Sequence, residues 1–416
     1  MLIGIDGNEA NVEKRVGVSE YAFELLRQFS IFNPSTSSGQ VFQFSMKTEN
    51  INFRIYLKSK PLSDLPKQSD RWNYRIVRPR KLWTQIGLPF DLYFHKPRPD
   101  VFFTPSHYAP RFSPIPTVVS IMDLSYIHFP ELFKKSDLYQ LMNWTQYSVR
   151  KAKKILTISQ ASKSDIIRVY QVPKEKVVVT YPGIKKFSIF NFQFSMKSQF
   201  SNFQKIKDKY GINGEYILFV GTIQPRKNIV RLVEAFSKIR MHTNNYFEST
   251  RIKKDSDKSG EKIRKNSDLQ LAIVGKKGWL YEEILGAPKK FGVEDRVKFL
   301  DFVPDEDLTL FYKHALFFIL PSLYEGFGLP VLEAMKWGCP VITSKVSSLP
   351  EAGGEAALYV NPESVEDIVS KMELLMKDQE KRKDMIEKGY KQVKKFSWDK
   401  TARETLGVLE GLMIKD

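Results

Sequence analysis

Short apolar runs alternate with stretches of helical length along almost the whole chain, and that alternation leaves few folds open. The runs lie at 2–6, 53–57, 74–77, 101–104, 117–122, 155–159 and 177–181 in the first half. They resume at 216–220, 270–274, 297–300, 317–321, 340–343 and 357–360 in the second. Many are β-branched or aromatic and apolar on both faces, as strands are when a parallel sheet is covered by helices on both sides. Amphipathic stretches such as 228–240, 280–291 and 365–377 lie between them. The pattern is α/β, and it occurs twice. A chain of 416 residues is also longer than a single core usually serves, so two domains are expected.

Three stretches interrupt the alternation. Residues 34–50 are rich in Ser, Thr, Asn and Gln, 187–204 alternate phenylalanine with polar residues, and 241–268 are Lys/Ser/Asn-rich with little apolar content. The hexapeptide Phe-Gln-Phe-Ser-Met-Lys occurs at 42–47 and again at 192–197. Two copies so far apart do not make a solenoid. All three stretches read as inserted, poorly ordered surface loops outside both sheets. The expected division is 1–184, a linker with insertion at 185–210, 211–395, and a last segment at 396–416.

Composition narrows the function classes. One cysteine, Cys339, allows neither an internal disulfide nor a thiolate metal site, and its apolar neighbours make it a small buried hydrophobe. No run approaches the roughly 20 apolar residues of a membrane span, and the N-terminus reads as a first strand rather than a signal peptide. A cytoplasmic location is expected. The net charge of +18 calls for an anionic partner, whether nucleic acid, anionic membrane or phosphorylated substrate, without choosing among them.

The most informative stretch is Pro-Ser-Leu-Tyr-Glu-Gly-Phe-Gly-Leu-Pro-Val-Leu-Glu-Ala-Met at 321–335. A buried strand ends, a glycine-bearing loop follows, Pro330 suits a first helical turn, and Gly338 stops the helix. A helix N-terminus at the carboxyl end of a parallel strand is where open α/β sheets bind ligands, and its free N–H groups favour phosphate. Gly326 and Gly328 let the backbone approach a ligand. Glu325 before the loop and Glu333, placed in the first helical turn, are suited to vicinal sugar hydroxyls. The plainer readings are an exposed loop carboxylate and a residue favoured by the helix dipole.

A second stretch, Gly221-Thr222-Ile223-Gln224-Pro225-Arg226-Lys227-Asn228, also follows a strand and opens a helix, with Asn228 as N-cap. Arg226 and Lys227 beside a helix start can neutralise a diphosphate, where the plainer reading is a solvated basic turn.

Together, Gly-Thr-x-x-x-Arg-Lys-Asn and, about 100 residues on, Ser-x-x-Glu-Gly-Phe-Gly-Leu-Pro-x-x-Glu-Ala resemble glycosyltransferase family 4 over nearly the whole chain outside the insertions. The resemblance implies the GT-B fold, two Rossmann-like domains facing across a cleft, with a C-terminal helix near 398–413 crossing back to the first domain. It implies a retaining hexosyltransferase that uses a nucleotide-diphosphate sugar and needs no metal or other cofactor. By the same resemblance Arg226 and Lys227 match a diphosphate clamp, Glu325 lies near the transferred sugar and Glu333 on the ribose. Gly326, Phe327, Gly328 and Leu329 match the loop against sugar and phosphates, and Phe302 and Val303 belong to a segment that holds the base.

In the first half, Gly17 resembles the family's glycine loop, which often has two glycines where this chain has one. Many relatives carry His-Asp where this chain has Met122-Asp123, so His107 or Asp123 is left as the candidate for that histidine's place, each with a purely structural alternative. Two acidic groups, at 255–257 and 305–307, look like metal motifs but sit in an insertion and in a helix start.

The expected partners are a nucleotide-diphosphate sugar, with mannose the first guess and glucose the second, and a glycan or lipid-linked acceptor. An anionic membrane surface on the cytoplasmic side would suit the charge, and nucleic acid is not expected. The rival reading is a non-catalytic nucleotide-sugar or polyanion-binding protein of the same fold.

Overall fold

The computed structural model describes residues 1–31, 51–184, 196–239 and 269–412, with the side chains of 196–202 excepted. The chain forms two compact units, Met1–Lys185 with Phe396–Asp416, and Lys186–Lys395. Each is built on one fully parallel sheet.

The first sheet contains β1 (Leu2–Asp6), β2 (Asn52–Leu57), β3 (Trp72–Ile76), β4 (Val101–Thr104), β5 (Thr117–Ser120), β6 (Lys154–Thr157) and β7 (Val177–Val179). Its order is β3-β2-β1-β4-β5-β6-β7. The second contains β8 (Tyr216–Val220), β9 (Gln270–Val274), β10 (Val297–Phe299), β11 (Phe317–Leu320), β12 (Val341–Ser344) and β13 (Ala357–Val360), in the order β10-β9-β8-β11-β12-β13. Both sheets therefore start at a central strand, add two strands to one side, and then reverse to the other. The reversal leaves a crevice beyond the carboxyl ends of β1 and β4 in one unit and of β8 and β11 in the other.

Every apolar run forms a strand, with small shifts at the ends. The run expected at 340–343 begins one residue late, at Val341. Proline has no N–H for the ladder, so Pro340 serves only through its carbonyl, which accepts from the Phe318 amide at 2.8 Å. The run at 117–122 stops at Ser120 because the chain turns, with the Ser125 amide donating to Asp123 Oδ1 at 2.8 Å.

One insertion is corrected. Residues 196–204, read as loop, belong to the helix Met196–Tyr210, which also replaces much of the expected linker. Phe203 and Tyr210 lie two turns apart on it and anchor its second half. Phe203 stacks on His314 with ring centroids 3.8 Å apart, and the Tyr210 hydroxyl and Lys209 both donate to Asp307 at 2.8 Å. The stretches at 34–50 and 241–268 lie outside the described residues.

The last helix, Trp398–Glu410, belongs to the first unit. Trp398, Ala402, Leu406 and Leu409 are buried in the same core as Ile3, Ile5 and Phe29. Trp398 meets Tyr21 edge-on at 5.8 Å, and the Thr401 hydroxyl donates to the Tyr181 carbonyl at 2.6 Å.

Candidate active site

The loops that leave β8 and β11 flank the crevice of the second sheet, and they carry the charged residues singled out from the sequence. After β8 the chain makes a tight turn, Pro225–Lys227, passes through Asn228 in a left-handed conformation (φ 60°), and enters the helix Ile229–Lys238. Asn228 was expected to cap that helix with its side chain. It does not; its amide nitrogen donates instead to the carbonyls of Pro321 at 3.0 Å and Pro362 at 2.7 Å, both buried. The asparagine thus ties the β8 loop to the β11 loop. The Leu323 amide, donating to Arg226 O at 2.9 Å, is a second tie.

This frame brings Arg226, Lys227 and Glu325 together. Lys227 and Glu325 are buried, and Lys227 Nζ donates to Glu325 Oε1. Arg226 donates to the Tyr324 carbonyl and lies 3.4 Å from Glu325 Oε2. The Ser322 hydroxyl adds a bond to Oε1 at 2.7 Å. Burial alone would push the Glu325 carboxyl upward, but the Lys227 and Arg226 charges and the hydrogen bonds outweigh it and hold the group at about 2. Glu325 is therefore ionised at neutral pH, and the cluster has two cations for one carboxylate.

The backbone of Glu325 is fixed as well. Its amide donates to Ser347 Oγ at 2.9 Å, and its carbonyl accepts from the Ser348 hydroxyl at 2.8 Å. Ser322 opens the Ser-x-x-Glu motif but was given no role there, and Ser347 and Ser348 were missed in the sequence. The last two follow β12, so the carboxyl-end rule that found the other loops points to them too.

Beyond Glu325 the chain runs through buried Gly326, Phe327 and Gly328 into the helix Leu329–Lys336. Gly328 stands at the helix start with φ 103°, a conformation that favours glycine. Glu333 is not in the first turn, as its distance from Pro330 had suggested; the helix starts at Leu329 and Glu333 is its fifth residue. It is half-buried and accepts a hydrogen bond from Tyr312 at 3.1 Å. Gly221 closes β8, with its amide donating to Val274 at 2.9 Å. After β10, Val303 is buried while Phe302 is exposed beneath the ammonium of Lys276, 4.9 Å from its ring centre.

In the first unit, Gly17 (φ 56°) precedes the helix Val18–Ile31 on the loop that leaves β1. His107 follows β4 and is half-buried, and its Nε2 accepts from the Met122 amide at 3.3 Å. Burial pushes its pKa down against the attraction of Asp123, so the ring is neutral and its proton lies on Nδ1. Asp123 spends Oδ1 on the Ser125 amide. Both residues thus do structural work. Asp6, at the end of β1, was not singled out. It is buried, bonded by the backbone and side chain of Asn8, and raised by burial to about 6.

Among the described residues no group of three or more His, Cys, Asp or Glu is placed to hold a metal ion. Asp305–Asp307 opens the helix Asp305–His314, and its third carboxylate holds Lys209 and Tyr210.

Two family profiles account for most of the chain. One, described as Glycosyltransferase Family 4, matches residues 58–186, and the other, Glycosyl transferases group 1, matches 202–392. The chain belongs to the family 4 glycosyltransferases. It is similar to the O-antigen chain mannosyltransferase B of Escherichia coli, with 27% identity over 405 residues covering 94% of each chain. Among solved structures it resembles the sucrose-phosphate synthase of Thermosynechococcus elongatus, with a TM-score of 0.68, 16% identity and coverage of 99% and 98%. It also resembles HepE of Anabaena, solved in complex with UDP and glucose, with a TM-score of 0.67, 16% identity and coverage of 98% and 99%. These likenesses show the GT-B fold, and the enzyme is a glycosyltransferase.

Proposed function

We propose that this glycosyltransferase moves a hexose from a nucleotide-diphosphate sugar to a hydroxyl of a glycan or lipid-linked acceptor, with retention of configuration and without a metal. Mannose is the first choice of sugar, supported by the full-length similarity to a mannosyltransferase, and glucose the second. The observation that carries the reading is the meeting of Arg226 and Lys227 with Glu325 at the crevice of the second sheet.

Departure of a nucleoside diphosphate leaves negative charge that must be stabilised. Arg226, Lys227 and the dipole of the Leu329–Lys336 helix supply that stabilisation. Before the donor arrives Glu325 neutralises part of the cationic charge, so the cations stay in place without it. As the sugar takes on oxocarbenium character, the ionised Glu325 favours the growing positive charge. Glu333 and Phe302–Val303 hold ribose and base. The work is done in the cytoplasm, and at the membrane surface when the acceptor is lipid-linked. No helix among the described residues is long and apolar enough to cross a membrane.

The test is donor turnover with guanosine-diphosphate mannose and uridine-diphosphate glucose, with and without EDTA. Arg226→Ala and Lys227→Ala should each lower kcat by about 10²–10³, the effect of losing one preorganised donor to developing charge. Glu333→Ala should raise the donor KM more than it lowers kcat, because its contact precedes the chemical step. Loss of transfer on chelation, or wild-type rates in the Arg226 and Lys227 variants, would overturn the mechanism. Binding of the donor with no release of sugar to acceptor or water would assign the chain to the non-catalytic reading.

A further inference from the structure

Residues 83–94 form one continuous helical segment, a wide turn at Trp83–Gly87 followed by the helix Leu88–Phe94. Its inner face is well packed. Trp83, Leu88 and Leu92 join Tyr56, Val77 and Phe102 in a core cluster on the first sheet. The outer face is apolar too. Leu82, Ile86, Phe90 and Phe94 recur every fourth residue and are 53%, 52%, 64% and 71% exposed. Phe90 and Phe94 lie one turn apart on one side of the helix, Ile86 sits in the wide turn before them, and Leu82 stands at the left-handed start of that turn. The Phe90 and Phe94 rings touch, with centroids 4.6 Å apart, so the stripe is continuous at its end. An outward helix face is ordinarily polar, and four large exposed apolar side chains along this segment and its start call for a partner.

The charges around the stripe indicate which partner. From 78 to 98 the chain has five cations, Arg78, Arg80, Lys81, Lys96 and Arg98, and all five are exposed. They fall at the two ends of the stripe, and none makes an ion pair among the described residues. The one carboxylate in the segment, Asp91, is buried and paired with Arg75 at 2.7 Å. Arg98 also donates to the Tyr93 carbonyl at the helix end, and Arg80 to the Lys58 carbonyl at 3.0 Å, so both are held in position while keeping their charge.

We propose that this face docks on an anionic lipid surface, with the stripe entering the boundary between headgroups and acyl chains and the cations at its ends lying among lipid phosphates. A second copy of the chain is a poorer occupant. A two-fold contact through the stripe would set the same five cations against each other with no carboxylate between them. The inference rests on the membrane-surface reading above and names the surface responsible.

The experiment is flotation of the full chain with vesicles of phosphatidylcholine alone and of phosphatidylcholine and phosphatidylglycerol in equal parts. The chain should float with the second and not the first, and salt should weaken the association. Phe90→Ser/Phe94→Ser should lower partitioning by about tenfold or more, since it removes apolar area from the membrane. Lys81→Glu/Lys96→Glu should do the same through charge. These side chains face solvent, so melting temperatures should stay at the parent's value and show that the variants fold.

Equal partitioning of parent and Phe90/Phe94 variant overturns the inference. So does a parent dimer that the same substitutions dissolve while vesicle binding is unaffected. Sugar release from the donor to water is read on the same preparations. Transfer without stripe-dependent flotation sinks this inference alone, whereas stripe-dependent flotation without transfer supports it and sinks only the proposed activity.

Discussion

Glu325 shows how one side chain can be read two ways until its neighbours are known. In sequence it is a loop carboxylate eight residues before another. In the fold it is a buried anion whose charge depends on Lys227 and Arg226. Its folded-state pKa of about 2 lies below the ordinary 4.5. The unfolded chain therefore binds the proton more readily, and the group stabilises the fold when ionised. That contribution is full above about 4.5 and is lost as the pH falls towards 2. It is on the order of 3 kcal/mol. In Lys227→Met the largest opposing charge is gone and burial pushes the carboxyl up. The stabilising contribution should shrink or change sign, and the acid-side loss of stability should begin at a higher pH than in the parent. Urea unfolding midpoints measured from pH 7 down to 3 would show it. Superimposable profiles for parent and variant would mean that Lys227 does not hold this proton equilibrium.

At the level of elements, the strands were legible because each is a short, two-sided apolar run, and burial on both faces of a parallel sheet leaves little else such a run can do. The cluster at the crevice was legible for a related reason, since loops leaving the carboxyl ends of strands are where ligands bind. What escaped depends on contacts distant in sequence. The capping role expected of Asn228 gave way to two carbonyls, one of them 134 residues away. The helix Met196–Tyr210 was hidden by its composition, and its fixed points, His314 and Asp307, lie about a hundred residues on. The position of the Trp398–Glu410 helix came from family resemblance rather than from any local pattern. Its packing now has a physical account, because Trp398 fills the core between the Val18–Ile31 helix and the first sheet. Trp398→Ala should destabilise the first unit by about 3–5 kcal/mol, the usual cost of truncating a buried tryptophan. Affinity for a nucleoside diphosphate in the still-folded protein should be unchanged. A change in unfolding free energy below about 1 kcal/mol would show that the indole does not carry this contact.

At the scale of the whole molecule, the two units are unequal in how the chain builds them. The first is assembled from two pieces, Met1–Lys185 and Phe396–Asp416, while the second is a single continuous stretch, Lys186–Lys395. The second unit contains a complete parallel sheet, its own core, and every residue of the Arg226–Lys227–Glu325 cluster with its serine and asparagine supports. A fragment of residues 186–395 should therefore fold by itself and bind guanosine or uridine diphosphate. At a ligand concentration about a hundred times its Kd, that binding should stabilise the fragment by about 2.7 kcal/mol. Lys227→Ala in the fragment should remove most of the effect. A fragment of residues 1–185 should not fold, because Trp398, Ala402, Leu406 and Leu409 are part of its core and would be missing. Restoring 396–416 through a short linker after residue 185 should rescue it. Circular dichroism and thermal melts of the three fragments, with and without nucleotide, decide the matter. If 186–395 is unfolded, or melts at the same temperature whether or not nucleotide is present, then the donor site is not contained in the second unit and the assignment of Arg226 and Lys227 to it fails.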